Sequence, residues 1–167
     1  MALVTGALRG IGLAAARRMA AAGARVVFTD LVDGADALAT AGLDGLNGCA
    51  YVRANVAEEA DWQAVRDLVR RDFGRLDILV NNAGIDCTGP VHELSLEQWH
   101  RLMRVNLDGV FLGVKTFAEM LRDTGGNRVG GSSIVNVSSI MGLVGYADTS
   151  AYNSSKGAVR LFTKATA

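Results

Sequence analysis

The chain has 167 residues, half of them hydrophobic, with 20 glycines and a single proline; this fits one globular domain with a sizeable core and excludes a disordered or low-complexity chain. Lys plus Arg balances Asp plus Glu at 17 each, which leaves no bulk electrostatic case for a nucleic-acid or anionic-membrane partner. No apolar run approaches the length that spans a bilayer and a strand pattern begins at Leu3-Val4, so a cytoplasmic protein with no membrane partner is expected.

Residues 2–5 read as a short buried strand, followed by Gly6-Ala7-Leu8-Arg9-Gly10-Ile11-Gly12 and an alanine-rich helix ending at Gly23, a C-cap glycine. A second strand, Arg25–Thr29, is closed by Asp30. This is a βαβ unit whose glycines let the chain turn sharply and let a pyrophosphate approach the helix N-terminus. The spacing G-x-x-x-G-x-G differs from the general G-x-G-x-x-G fingerprint. Gly6, Arg9, Gly10, Ile11 and Gly12 are the loop's candidate cofactor contacts. A carboxylate at Asp30 can accept both ribose hydroxyls of an NAD adenosine, while a 2′-phosphate would meet it with like charge. One such pair at about 4 Å is worth roughly 1–4 kcal/mol. NAD is therefore expected over NADP. Arg9 argues the other way if it meets a phosphate, and is otherwise a solvated loop arginine.

Residues 33–48 suggest a weak helix, and Ala50–Val56 a third strand. Glu58–Phe73 is an amphipathic helix with Trp62, Val65, Leu68 and Val69 toward the core. A fourth strand, Leu76–Val80, runs into Asn81-Asn82-Ala83-Gly84, where strand ends of an open parallel sheet place ligands. The four residues read equally as a crevice wall or an ordinary turn. After a loop holding Pro90, Ser95 and Gln98 form a helix N-cap box. A long helix then runs to about Leu121, with Asn106 amid Val105, Leu107, Val110 and Phe111. A buried amide there needs a partner, a backbone carbonyl or a water. His92 and His100 read as surface residues without partners, Cys49 and Cys87 as free thiols, and no metal site is expected. A glycine-rich loop over 123–132 leads to the last strand, Ser133–Val137, which delivers Ser139 to a loop.

A helix starting near Ala151 carries Tyr152 and Lys156, four residues apart and so on one face. A phenol with a pKa of about 10 is a poor base near neutrality, but an adjacent ammonium favours the phenolate. Such a tyrosine can give a proton to a ketone oxygen or take one from an alcohol, while Ser139 steadies that oxygen. On most helices the same pair is a lysine stem lying along a half-buried ring. Its neighbours decide.

Taken together, Thr5-Gly6-x-x-x-Gly10-x-Gly12, Asn81-Asn82-Ala83-Gly84, Asn106, Ser139 and Tyr152-x-x-x-Lys156 resemble the short-chain dehydrogenase/reductase family over essentially the whole chain. The resemblance implies an α/β fold, a doubly wound parallel Rossmann-like sheet with NAD across its switch point. It implies Tyr152 as general acid/base and Ser139 as the group steadying the substrate oxygen. Lys156 would bind nicotinamide ribose and lower the Tyr152 pKa, and Asn106 would hold a water in the proton relay. Asn82, Ala83 and Gly84 would line the cofactor crevice. Where the family usually has Asp-Val at the adenine, this chain has Asn55-Val56, whose amide oxygen can still accept from the adenine amino group. The substrate would be a small alcohol or ketone. The segment Ser133–Ala167 is most similar to members acting on secondary alcohols, cyclopentanol-type and hydroxysteroid dehydrogenases, with 3-oxoacyl-carrier-protein reductases as the alternative.

Family members continue past the tyrosine–lysine helix, whereas this chain stops at Ala167. Residues 1–167 are thus expected to be a single dinucleotide-binding and catalytic domain, incomplete and lacking the last strands of the family fold. Ser133–Val137 would then be an exposed apolar sheet edge. A complete chain would form a homo-oligomer, dimer or tetramer, through the helices at about 96–121 and 151–167. A truncated, non-catalytic dinucleotide-binding fragment is the competing reading.

Overall fold

The computed structural model describes residues 1–33, 42, 48–126 and 129–167. Five strands, β1 (Ala2–Thr5), β2 (Val26–Asp30), β3 (Ala50–Arg53), β4 (Ile78–Asn81) and β5 (Ser133–Asn136), form one sheet in the order β3-β2-β1-β4-β5. All four pairings are parallel. Strand order reverses at β1, which pairs Ala2 with Val26 on one side and with Ile78 on the other. β1 and β2 are apolar on both faces because both are covered. Leu3, Val27 and Leu79 pack against α2 (Glu59–Asp72) and α4 (Gly109–Gly126) through Trp62, Val65, Val69, Leu112, Phe117 and Leu121. Ala2, Val4, Val26 and Phe28 face α1 (Gly10–Ala21) through Ala16, with Leu13 and Met19 at its margin. The sheet is therefore doubly wound, as the sequence suggests, with Leu68 half-buried beside the first cluster.

Helix α1 ends as expected at Gly23: the Gly23 N–H donates to Ala20 O (2.9 Å) and the Ala24 N–H to Met19 O (3.0 Å), the two bonds of a Schellman cap. Other boundaries depart from the sequence reading. β3 stops at Arg53 instead of reaching Val56, because Asn55 Oδ1 accepts the Ala57 N–H (3.1 Å) and turns the chain away. β4 includes Asn81, so the strand penetrates the Asn81–Gly84 motif. The helix expected over 96–121 is three pieces: α3 (Leu96–Met103), a π-helical turn at Arg104–Asp108, and α4. Ser95 and Gln98 do form a reciprocal capping box on α3. α4 runs on into the stretch read as a loop, and the Ser132 hydroxyl donates to Leu121 O (2.7 Å) where the chain returns. The weak helix expected over 33–48 falls almost entirely outside the described residues.

Helix α5 (Ser150–Ala165) follows a short 3₁₀ turn, Ile140–Gly142. β5 pairs with β4 and closes one edge of the sheet, with Val135 47% exposed, as expected of an edge. Cys49 and Cys87 are free thiols. His92 has a neighbour the sequence did not suggest, Glu93 at 3.7 Å, with both side chains exposed. No described helix is long and apolar enough to cross a membrane.

Candidate active site

The C-terminal ends of β1 and β4 meet at a node of backbone and amide contacts. Thr5, 1% exposed, accepts the Asn82 and Ala83 N–H groups on its Oγ1, both at 3.0 Å. Asn82 Nδ2 donates to Thr5 O (2.9 Å) and Gly6 O (3.1 Å). A Cβ at Gly12 would collide with Gly6 O and Asn82 Nδ2, so the first turn of α1 lies directly on this node. Gly6 and Gly10 hold positive φ, at +61° and +54°, which glycine adopts without strain.

An open cleft of about 1130 Å³ lies beside the node, walled by Gly6, Arg9, Gly10, Ile11, Asp30, Asn55, Val56, Asn82, Ala83 and Gly84. Every candidate cofactor contact of the glycine loop, the β2 end, the β3 turn and the β4 end is on that wall except Gly12, which is buried beneath it. The cleft fits an elongated anionic ligand. The N-cap residue Arg9 makes no side-chain cap bond, and the first N–H groups of a helix lack intrahelical acceptors and carry partial positive charge. A Cβ at Gly10 would meet nothing within 4 Å, so a ligand can approach the backbone there. Arg9 and Ile11 are both exposed.

Asp30 is fixed by its own surroundings. Its Oδ2 accepts the Leu8 N–H (3.1 Å) and its Oδ1 the Leu31 N–H (2.8 Å), which presents the remaining lone pairs to the cleft. Behind it, the Tyr51 hydroxyl on β3 lies 2.5 Å from Val32 O and 3.2 Å from Asp30 O. Burial, then the nearby Asp30 and Asp33, push the Tyr51 phenol above its ordinary pKa. Asn55 is more constrained than the sequence implies. Its N–H donates to Asp61 Oδ2 (2.7 Å), and its amide oxygen, expected at the adenine, already accepts from Ala57.

Of the four candidate catalytic residues, Ser139 follows β5, Tyr152 and Lys156 lie on α5, and Asn106 lies on the π turn. Lys156 is 5% exposed, with Nζ 2.8 Å from Val137 O and 5.7 Å from the centre of the Tyr152 ring. Burial holds its pKa below the ordinary lysine value. Tyr152 is half-buried on the same face of α5. Ser139 caps the 3₁₀ turn, accepting the Met141 N–H at 3.2 Å, and this leaves its hydroxyl hydrogen free to donate. The turn rests closely on the α5 backbone: the Ser138 side-chain Oγ donates to Lys156 O (2.8 Å), and a Cβ at Gly142 would stand 2.7 Å from that oxygen.

Asn106 sits on the π turn, fully buried. Its Oδ1 accepts the Ile85 N–H (2.8 Å), and its Nδ2 donates to Ile85 O (2.9 Å) and Ser155 Oγ (3.1 Å). A backbone carbonyl, one of the two options the sequence left open, is thus among its partners, and the Ile85 N–H and the Ser155 hydroxyl are added to it. An added Cβ at Gly84 would lie 3.3 Å from Asn106 Oδ1 and 3.6 Å from Lys156 Nζ, so Gly84 joins the cleft to the lysine. The sequence reading missed the opposite wall. Glu58, Leu96, Glu97, His100, Arg101 and Arg104 also line the cleft, and an Arg104–Glu58 ion pair at 2.7 Å ties the π turn to the β3–α2 turn. His100, read as mere surface, faces this opening. No local pattern marks these residues, because only the packing of α3 brings them there.

Comparison with known proteins agrees with this architecture. The sequence profile of the short chain dehydrogenase family matches residues 1–167. The chain is 40% identical over 167 residues to a 3-alpha-(or 20-beta)-hydroxysteroid dehydrogenase of Mycobacterium tuberculosis, covering all of this chain and 62% of that protein. It is 38% identical to an NADP-dependent (R)-specific alcohol dehydrogenase of Lentilactobacillus kefiri, covering all of this chain and 65% of the relative. A short chain dehydrogenase/reductase from Burkholderia phymatum, solved in complex with NAD, superposes with a TM-score of 0.89 at 34% identity, over 98% of this chain and 57% of that one. The chain thus spans less than two thirds of the length of these proteins. On sequence and fold alike, it belongs to the short chain dehydrogenase family.

Proposed function

We propose that the protein is an NAD(H)-dependent oxidoreductase acting on a secondary alcohol or ketone, with Tyr152 as general acid/base. The observation that carries the reading is the placement of Lys156: a 5% exposed ammonium, 5.7 Å from the Tyr152 ring, behind Gly84, which lines the cleft that the first turn of α1 also walls. Burying such a charge is unfavourable, and its use here is to meet the ribose hydroxyls beside Tyr152. The dinucleotide, when bound, accepts or supplies the hydride. Gly6, Gly10 and Ile11 would hold its pyrophosphate, Asp30 its adenosine ribose, Asn55 and Val56 its adenine edge, and Asn82, Ala83 and Gly84 its central portion. Ser139 donates its hydroxyl hydrogen to the substrate oxygen, and Tyr152 passes a proton to or from that same oxygen. Asn106 fixes Ile85 and Ser155 beside the lysine and steadies the proton path.

Asp30 supports NAD over NADP, since a 2′-phosphate would approach an anchored carboxylate. The relatives include one named as NADP-dependent and one solved with NAD, so family membership alone does not choose, and we assign the choice in this chain to Asp30. Self-association through α4 and α5, where Phe111 is 46% and Leu161 63% exposed, belongs to the same proposal. The test is Tyr152→Phe. Loss of the phenolic proton is expected to lower turnover by about 10²–10⁴-fold while dinucleotide binding, followed by calorimetry, stays near wild type. Turnover close to wild type in the variant would refute the assignment.

A further inference from the structure

Asn55, Val56 and Ala57 line the cleft where the chain leaves β3, and the acceptors of the first two are already taken. Asn55 Oδ1 accepts the Ala57 N–H at 3.1 Å. Asn55 O accepts the Glu58 N–H at 3.0 Å, and Val56 O accepts from Trp62 Nε1 at 2.8 Å. Because a backbone N–H can only donate, Ala57 fixes which end of the Asn55 amide is oxygen. The groups left over are donors: neither Asn55 Nδ2 nor the Val56 N–H has an acceptor among the described residues. The turn is also held against rearrangement. The Asn55 N–H donates to Asp61 Oδ2 at 2.7 Å, and the segment after the π turn presses on Val56, since a Cβ at Gly109 would stand 2.9 Å from Val56 Cγ2 and 3.2 Å from Val56 O.

Resting on the dinucleotide reading above, we propose that this turn meets the cofactor's base with donors alone, so that the protein takes a 6-oxopurine dinucleotide as readily as the adenine one. Adenine offers N1 as an acceptor to one donor, but its 6-amino group is itself a donor and opposes the other. Hypoxanthine inverts the pair: O6 accepts, and N1–H opposes. Each base therefore satisfies one donor of the turn, while ribose, pyrophosphate and ring area are the same in both. Selecting an amino group takes an acceptor aimed at it, and the side-chain acceptor of this turn is spent on Ala57. A carboxylate at position 55 would act differently. One oxygen would keep the Ala57 N–H, and the other would accept from the adenine amino group and repel O6. Base selectivity is thus set at Asn55, separately from the ribose contact at Asp30.

The discriminating experiment titrates the protein calorimetrically with NADH and with reduced nicotinamide hypoxanthine dinucleotide. The two Kd values are expected to lie within about fivefold of each other, less than one well-made hydrogen bond to a charged group is worth. Asn55→Asp is expected to favour NADH by about tenfold or more over the hypoxanthine form, the effect of gaining one charge-assisted bond and opposing one acceptor. A wild-type preference for NADH beyond fivefold would overturn the inference alone, and needs no variant to read. So would an Asn55→Asp protein that binds both dinucleotides in the wild-type ratio. Failure of the wild-type protein to bind either dinucleotide would overturn the dinucleotide reading and this inference with it.

Discussion

Replacing Asn106 by alanine tests whether the π turn is held by its amide. The side chain is 0% exposed and makes three bonds, to Ile85 N, Ile85 O and Ser155 Oγ, at 2.8, 2.9 and 3.1 Å. Ser155 retains a partner, because its hydroxyl also donates to Tyr152 O at 2.8 Å. The Ile85 N–H and carbonyl are left to whatever water reaches a half-buried residue. Each stranded group costs about 1–3 kcal/mol when fully buried and less when wet, so the loss is about 2–4 kcal/mol. For a domain of this size that corresponds to a fall in Tm of about 5–15 °C. Urea unfolding of the protein and the variant, with unchanged m-value, measures it directly. Asn106→Asp sharpens the case: it keeps the acceptor for Ile85 N–H but turns an oxygen toward Ile85 O. At neutral pH it is expected to be at least as unstable as the alanine variant, and to recover part of the loss on acidification, when the protonated carboxyl donates again. An alanine variant within about 0.5 kcal/mol of wild type, half the net worth of a single bond, would show that the turn is held by the helix itself.

Two further outcomes follow from the same geometry. Lys156 is depressed below its ordinary pKa by burial, so between the folded and unfolded values the unfolded chain binds more protons and stability rises with pH. Wild type is therefore expected to gain stability relative to Lys156→Met as pH climbs toward about 10.4; a flat or falling difference in denaturant midpoints would show that the lysine is not desolvated. In cofactor selection, Asp30→Ala is expected to lower the NAD over NADP ratio of kcat/KM about tenfold or more. Tyr51→Phe, which frees the backbone at Asp30 and Val32, is expected to lower it several-fold with little change in melting. If only the Asp30 variant responds, β2 alone places the carboxylate.

Much of the site is readable because its residues sit at punctuation marks of the chain. The glycine loop, Asp30 at a strand end and Asn82–Gly84 at another are all local signals, and parallel pairing brings those ends to one rim. Helical spacing puts Tyr152 and Lys156 on one face, and the motifs around them mark the pair as more than a lysine stem along a ring. What escaped is what depends on packing between distant segments. The π turn has no sequence signature, since an inserted residue in a helix is stabilised by its surroundings, here Ile85. The α3 wall, with His100 and Arg104, is polar and unpatterned and becomes part of the cleft only through tertiary placement. Asn55 was read by its chemistry without knowledge that Ala57 already occupies its oxygen. Asn81, which the sequence leaves open between crevice wall and turn, pairs in the sheet; its Nδ2 donates to Asn136 Oδ1 at 2.8 Å, and Asn136 Nδ2 donates to Thr163 Oγ1 on α5 at 3.0 Å.

The node of Thr5, Gly6, Gly12 and Asn82 also governs how this protein responds to sequence change. Asn82 reaches Gly6 across a sequence separation of 76 residues, and the space a side chain at Gly12 would need is already filled by both. Substitutions at these positions are not independent perturbations: once one contact is broken, the others have less left to lose, and the free energies of the single changes do not sum to that of the multiple one. Substitutions on the outer wall of the cleft, where Arg9 and Ile11 touch solvent, are expected to cost little, while at its floor the β1–α1 turn and the distant end of β4 respond as one cooperative unit.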